Sequence, residues 1–293
     1  MRRSLLLAII LCCTLTLFAK PVPVPILVNA KWLQEHKADK DIVILQTNFL
    51  RLDYEKEHIE GARFLWPDWL AAHSPEGNFN VPATDIANRI LQSLGVNKES
   101  HVVLVYTKSD ITVTARMFLT LEHLGLYNRV SLLDGGLEAW KKEGLTLVSG
   151  PSPITNKGNF TVQLTKLLVD KSYVQDALLK KDKIVVDARL KRFYDGDPTG
   201  NPRDGHITGA LNLPLPDLID STTRFKPIAE LQQYFDRVNT DKNKEMIGYC
   251  FIGQTASVVY LAGRLLGYPM RIYDGSLQEW SRLPELPMEK SRQ

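Results

Sequence analysis

The chain has 293 residues, 24% charged and 44% hydrophobic, which suits two domains with cores of ordinary size and excludes a disordered chain. A net charge of +3, from 36 basic and 33 acidic residues, gives no basic footprint for nucleic acid. Three Cys, two of them adjacent near the amino terminus, exclude a disulfide scaffold and a multi-Cys zinc site. No two His are spaced as metal ligands would be, so neither a metal nor another cofactor is expected.

Met1-Arg2-Arg3, an apolar run from Leu5 to Phe18 and then Ala19-Lys20-Pro21 read as a secretory signal peptide, residues 1–19. The run, about 14 residues, falls short of the roughly 20 needed to span a bilayer. A lipoprotein reading through Cys12 meets Ile10-Leu11, where small residues belong. Export to the periplasm or medium without stable membrane insertion is the expectation. Cleavage after Ala19 lowers the net charge to +1 and removes Cys12 and Cys13, leaving Cys250 as the lone thiol.

The remainder is one unit written twice. Asn29-Ala30-Lys31-Trp32, followed by Ile42-Val43-Ile44, returns as Asp170-Lys171-Ser172-Tyr173, followed by Ile184-Val185-Val186. Asn29 and Asp170 suit helix N-caps. His58-Ile59-Glu60-Gly61-Ala62 returns as His206-Ile207-Thr208-Gly209-Ala210, and Asp134-Gly135-Gly136-Leu137 as Asp274-Gly275-Ser276-Leu277. Val102–Val105 and Met246–Tyr249 predict strands, each followed by a loop and a helix, Ala115 to Leu124 and Ala256 to Leu266. Short β-branched runs alternating with helices predict an α/β fold, each domain a mainly parallel sheet flanked by helices. Domains are placed at residues 22–148 and 160–288, with the turn-rich 149–159 as linker. The repeat period is too long for a solenoid, so two fused copies are expected, and the architecture needs no second subunit.

Cys250 ends a strand and opens the loop Cys250-Phe251-Ile252-Gly253-Gln254-Thr255 before a helix. The carboxyl ends of parallel strands are where such sheets bind ligands. Main-chain N–H groups and the positive helix end stabilise an anion there and favour thiolate over thiol. Gly253 supplies the backbone freedom of a tight loop, and the Thr255 hydroxyl can reach back into it. Aligning Leu124-Gly125 with Leu266-Gly267 sets Lys108 opposite Cys250, so one copy carries the nucleophile and the other supports it. Arg192 and Arg203 lie in the connection leaving the preceding strand, and a guanidinium fork suits a small oxyanion or carboxylate. Arg189, after Asp187-Ala188, is expected to hold that connection by local pairing. His58, in the copy without the Cys, marks the His-Ile-x-Gly-Ala element as a turn stabiliser in both copies.

Together the two His-Ile-x-Gly-Ala turns, the two Asp-Gly-x-Leu-x-x-Trp segments, Asp187-Ala188-Arg189 and Cys250-x-x-Gly253-x-Thr255 resemble the tandem-domain rhodaneses, the thiosulfate and 3-mercaptopyruvate sulfurtransferase family. The resemblance spans roughly residues 25–285. It implies a catalytic carboxy-terminal domain and an inactive amino-terminal copy, with the active site between them. It also implies a Cys250 persulfide that takes sulfur from a small-molecule donor and passes it to cyanide or a thiol. It sets Arg192 and Arg203 where members bind the donor's anionic group. The loop departs from both branches. Members preferring thiosulfate carry basic residues after the Cys, and those preferring mercaptopyruvate carry Gly-Ser. Here Phe251-Ile252 follow, and Gln254 replaces a common Val.

Two other classes compete. A Cys phosphatase of related fold needs Cys-x5-Arg, and the sixth residue after Cys250 is Ala256. A non-enzymatic sulfane-sulfur carrier delivering to a partner protein would use Phe251-Ile252 as an exposed apolar docking loop.

Overall fold

A computed structural model describes residues 24–73, 79–107 and 110–291. The expected signal segment and Lys108 lie outside the described residues.

The repeated sequence becomes two five-stranded parallel sheets with one strand order. The first runs Leu27–Val28, Val130–Leu133, His101–Val105, Ile42–Thr47, Arg63–Leu65. The second runs Leu168–Val169, Met270–Tyr273, Met246–Tyr249, Ile184–Asp187, Leu211–Asn212. The central strands are buried along their length, Val102 to Val105 in the first sheet and Met246 to Tyr249 in the second. Unalternated apolar runs of this kind arise because helices cover both faces.

On the outer face of the first sheet, Leu33, Leu137 and Trp140 pack on Ile44, Val103 and Val105. Val174, Leu277 and Trp280 repeat this on Val185, Ile247 and Tyr249. Between the sheets, helices Ile111–Leu121 and Ala256–Leu266 share one apolar cluster, with Ala115, Phe118 and Leu119 alongside Val258, Val259 and Leu261. Both helices are buried on nearly every side, so the domains share a core.

Local signals act as expected in both copies. Asn29 and Asp170 accept from Trp32 N and Tyr173 N at 2.8 and 3.0 Å. His58 Nδ1 and His206 Nδ1 bond Tyr54 O and Tyr194 O at 2.9 and 2.7 Å, each ring stacked on that Tyr. Both His therefore anchor turns.

One boundary differs from expectation. Residues beyond 159 stay with the first domain: Phe160 N donates to Val96 O at 3.1 Å and Gln163 N to Leu124 O at 3.0 Å. Phe160 and Val162 are buried in the shared core, and the second sheet starts only at Leu168. Turn-forming residues marked where the linker begins but carried no signal for this strap.

The copies also align differently. Residues Glu122–Leu126 continue the first copy's helix beyond Leu121 to a kink at Gly125, φ +115°. Matching the copies from their helix ends therefore slips the register, and Lys108 is not the counterpart of Cys250. Tyr106 is. Its carbonyl accepts from Leu137 N at 2.9 Å as that of Cys250 accepts from Leu277 N at 3.0 Å.

Glu122 is a buried carboxyl in the seam, held by the Tyr260 hydroxyl and by Arg264 Nη2 at 3.1 Å. Burial raises its pKa, against the opposing pull of Arg264. The folded state therefore binds this proton more tightly than the unfolded chain. The resulting stabilisation is present at acid pH and lost as pH rises from the ordinary carboxylate range, about 4.3, through the folded value. Glu122→Gln should gain in melting temperature relative to the parent as pH rises across that window. A pH-independent difference would overturn the assignment.

Candidate active site

Cys250 is the first residue after strand Met246–Tyr249 and is 1% exposed. Its main chain is fixed by the Asp274-Gly275-Ser276 turn. Cys250 N donates to Ser276 Oγ at 3.3 Å, and Phe251 O accepts from Gln278 N at 2.9 Å. Further along, Gly253 has φ +83° and its carbonyl accepts from Ser257 Oγ at 2.8 Å. Among the described residues, no amide of residues 251–256 donates to a protein oxygen. The loop after Cys250 therefore keeps a run of main-chain donors without protein acceptors, and such a run can cradle an anion.

Arg189 is 2% exposed and pairs with the fully buried Asp187. Its Nε donates to Oδ1 and Oδ2 at 3.0 and 3.1 Å, and Nη2 to Oδ2 at 2.6 Å. Nη2 also donates to Gly205 O at 2.6 Å. Burial works against the charge, but Asp187, Tyr249 and Cys250 hold the guanidinium above its usual pKa. Its Cζ lies 5.0 Å from the Phe251 ring centroid, and its buried Nη1 has no partner among the described residues. The expected local pairing is present, beside the Cys loop.

Arg192 is exposed, with Cζ 4.5 Å over the Phe193 ring, which meets Phe251 edge-on at 5.4 Å. It has no hydrogen-bond or carboxylate partner among the described residues, so its fork is available. Its counterpart in the first domain, placed by the shared Tyr-His turn, is Leu52.

Arg203 differs from its expected role. Nε donates to Ser281 O at 3.0 Å, Nη1 to Leu286 O at 2.8 Å, and Nη2 to Trp280 O and Leu283 O at 2.8 and 2.6 Å. The guanidinium ties down the carbonyls after helix Ser276–Trp280 rather than facing a ligand. Arg203→Ala should lower stability by about 3 kcal/mol, since bonds to charged donors are the strong ones. Denaturant unfolding measures this, and KM for the sulfur donor should stay unchanged. Raised KM at unchanged stability would restore the anion-binding role.

The loop side chains also divide. Gln254 Nε2 donates to Thr112 Oγ1 at 2.7 Å and so ties the loop to the first domain. Thr255 precedes the helix without a side-chain capping bond. Phe251 and Ile252 are half-buried and pack against the apolar clusters, so they do not form an exposed docking loop.

Sequence reasoning missed four supporting residues. Arg116, fully buried, crosses from the first domain to Asp274 Oδ1 at 2.6 Å, and a Cβ on Gly253 would lie 2.9 Å from its Nη1. Thr112 holds Gln254, Ser257 holds Gly253, and Ser276 meets Cys250 N. Only Ser276 left a trace: it sits at φ +49° where the first copy has Gly136 at φ +56°. A side chain in left-handed backbone, where Gly is the easy choice, marks a constraint.

The family model for the rhodanese-like domain matches residues 29–143 and 170–283. The chain is 30% identical over 278 residues to a 3-mercaptopyruvate sulfurtransferase of Escherichia coli K12, covering 89% of this chain and 97% of the relative. It is 29% identical over 285 residues to the sulfur carrier protein TtuD of Thermus thermophilus, covering 92% and 98%. The crystal structure of SseA from Escherichia coli matches with TM-score 0.77 at 28% identity, over 86% of this chain and 99% of that one. With both copies of the domain matched in full order, the chain belongs to the rhodanese family of sulfurtransferases, in its tandem-domain form.

Proposed function

We propose that the chain moves sulfane sulfur from thiosulfate or 3-mercaptopyruvate to cyanide or a thiol through a persulfide on Cys250. The observation that carries this reading is a buried sulfur at a strand end, next to unengaged loop amides and the Arg189 guanidinium. The Cys250 thiolate attacks the outer sulfur of thiosulfate, the S–S bond breaks and sulfite leaves. With mercaptopyruvate the C–S bond breaks instead, and the pyruvate enolate takes a proton. Either way Cys250 carries one extra, negatively charged sulfur, which the amides of residues 251–256 hold without a general base. Cyanide or a thiolate then attacks that outer sulfur, forming thiocyanate or a new persulfide and returning the Cys250 thiolate.

Arg192 receives the donor's anionic group, and Phe251 and Ile252 make the mouth apolar. Arg203 has no part in binding. The test compares turnover with the two donors and follows intact mass for gain of one sulfur atom. Arg192→Ala should raise the donor KM about tenfold with kcat little changed. No sulfur uptake from either donor would end the proposal.

A carrier reading draws support from the likeness to TtuD. Slow turnover with small acceptors alongside rapid discharge to a protein thiol would select it. The proposal includes export as a monomer after loss of residues 1–19. Amino-terminal sequencing of protein from the periplasm or medium, with light scattering for mass, tests both.

A further inference from the structure

We propose that the second domain carries a separate binding site for a small anionic amphiphile, a medium-chain fatty acid anion, at the end of its sheet remote from Cys250. A groove of about 530 Å³ opens between helix Lys171–Lys180 and the amino-terminal end of strand Ile184–Asp187, with the edge strand Leu211–Asn212 on its far side. That volume suits a small organic ligand. Leu178, Ile184, Val185 and Leu211 supply apolar lining, and Leu179, 81% exposed, extends it.

The charge on this groove has one sign. Among the described residues Lys181, Lys183 and Lys244 line it and no carboxylate does. Lys183 pairs with Asp182 at 2.7 Å, while Lys181 and Lys244 have no carboxylate partner among the described residues. The nearby Glu289 is engaged by Gly209 N at 2.9 Å and His206 at 3.3 Å. An apolar trough rimmed by cations is complementary to an aliphatic tail with an anionic head.

The first domain shows that the fold does not impose this feature. Counting from the caps Asn29 and Asp170, Leu178 and Leu179 correspond to Lys37 and Ala38. Counting from the His-Ile turns, Thr208 corresponds to Glu60. In the first copy Lys37 and Glu60 line the corresponding cleft with charges of both signs and pair at 2.5 Å. The second copy has Leu178 and Thr208 at those two positions, so its groove is apolar there and carries Lys at its rim.

The site lies outside the sulfur-transfer machinery, so its failure would leave that reading untouched. The experiment titrates dodecanoate, below its micelle-forming concentration, into the full chain by calorimetry. The expected result is saturable one-to-one binding. Lys181→Glu/Lys244→Glu and, separately, Leu211→Glu should each weaken it at least about tenfold. Dodecan-1-ol and dodecyltrimethylammonium should bind at least about tenfold more weakly than dodecanoate. Sulfur-transfer turnover of both variants should match the parent. Absence of saturable binding, equal binding of the cationic detergent or indifference to both variants would overturn the proposal. So would binding of a Leu- and Glu-rich peptide where dodecanoate does not bind, since the occupant would then be a protein.

Discussion

Cys250→Ser is expected to remove sulfur transfer while leaving the fold in place. The substitution exchanges one atom at a site that is 1% exposed. The main-chain bonds that position it, from Cys250 N to Ser276 Oγ at 3.3 Å and from Leu277 N to Cys250 O at 3.0 Å, do not involve the sulfur. Stability should change by no more than about 1 kcal/mol. The chemistry has no substitute, because a hydroxyl is a poor nucleophile toward sulfur and forms no persulfide. Among the described residues Cys250 is the only cysteine. Turnover should fall by roughly four orders of magnitude or more, as when a nucleophile is removed from a site that acts as a unit. Intact mass after exposure to thiosulfate should show no added sulfur. Persistent sulfur uptake by a folded Cys250→Ser protein would place the chemistry elsewhere.

The fold was legible because the chain states it twice. A helix cap, a β-branched strand and a His-Ile-x-Gly-Ala turn recurring in order leave little freedom in topology, and both sheets have the same strand order. The strand Met246–Tyr249 and helix Ala256–Leu266 fall where the residue pattern sets them. The place of Cys250, directly after a strand, was legible from the apolar run before it. Less was legible where the answer depends on what a side chain meets across the chain. Arg192 and Arg203 look alike in sequence, but one faces solvent over Phe193 and the other is enclosed by four carbonyls. Gln254 and Thr112 meet across 142 residues, a separation at which local pattern carries no information. Lys108 was misaligned because the first copy's helix runs on through Glu122 to a kink at Gly125 without a change in its apolar character.

Arg189→Met is expected to cost about 3–5 kcal/mol of stability, the range for removing one partner from a buried ion pair. Both side chains of the Asp187–Arg189 pair are fully buried. Truncation would leave Asp187 with the Arg189 main-chain N–H at 2.9 Å as its remaining bond within the pair. It would also leave Gly205 O without its 2.6 Å donor. The uncompensated carboxylate, rather than the lost attraction, accounts for most of the effect. Asp187→Leu/Arg189→Met should therefore recover much of the loss, because it removes the buried charge as well as its partner. Arg189→Lys should fall between, since one ammonium cannot reproduce the planar fork that reaches both Asp187 oxygens. Denaturant unfolding orders the three variants. The same variants separate scaffold from chemistry, because the Arg189 guanidinium lies 5.0 Å from the ring of Phe251, the residue after Cys250. If the double variant regains stability but not sulfur loading, the cation serves the sulfur. If both return together, the pair is a brace, and the loop amides alone hold the charge.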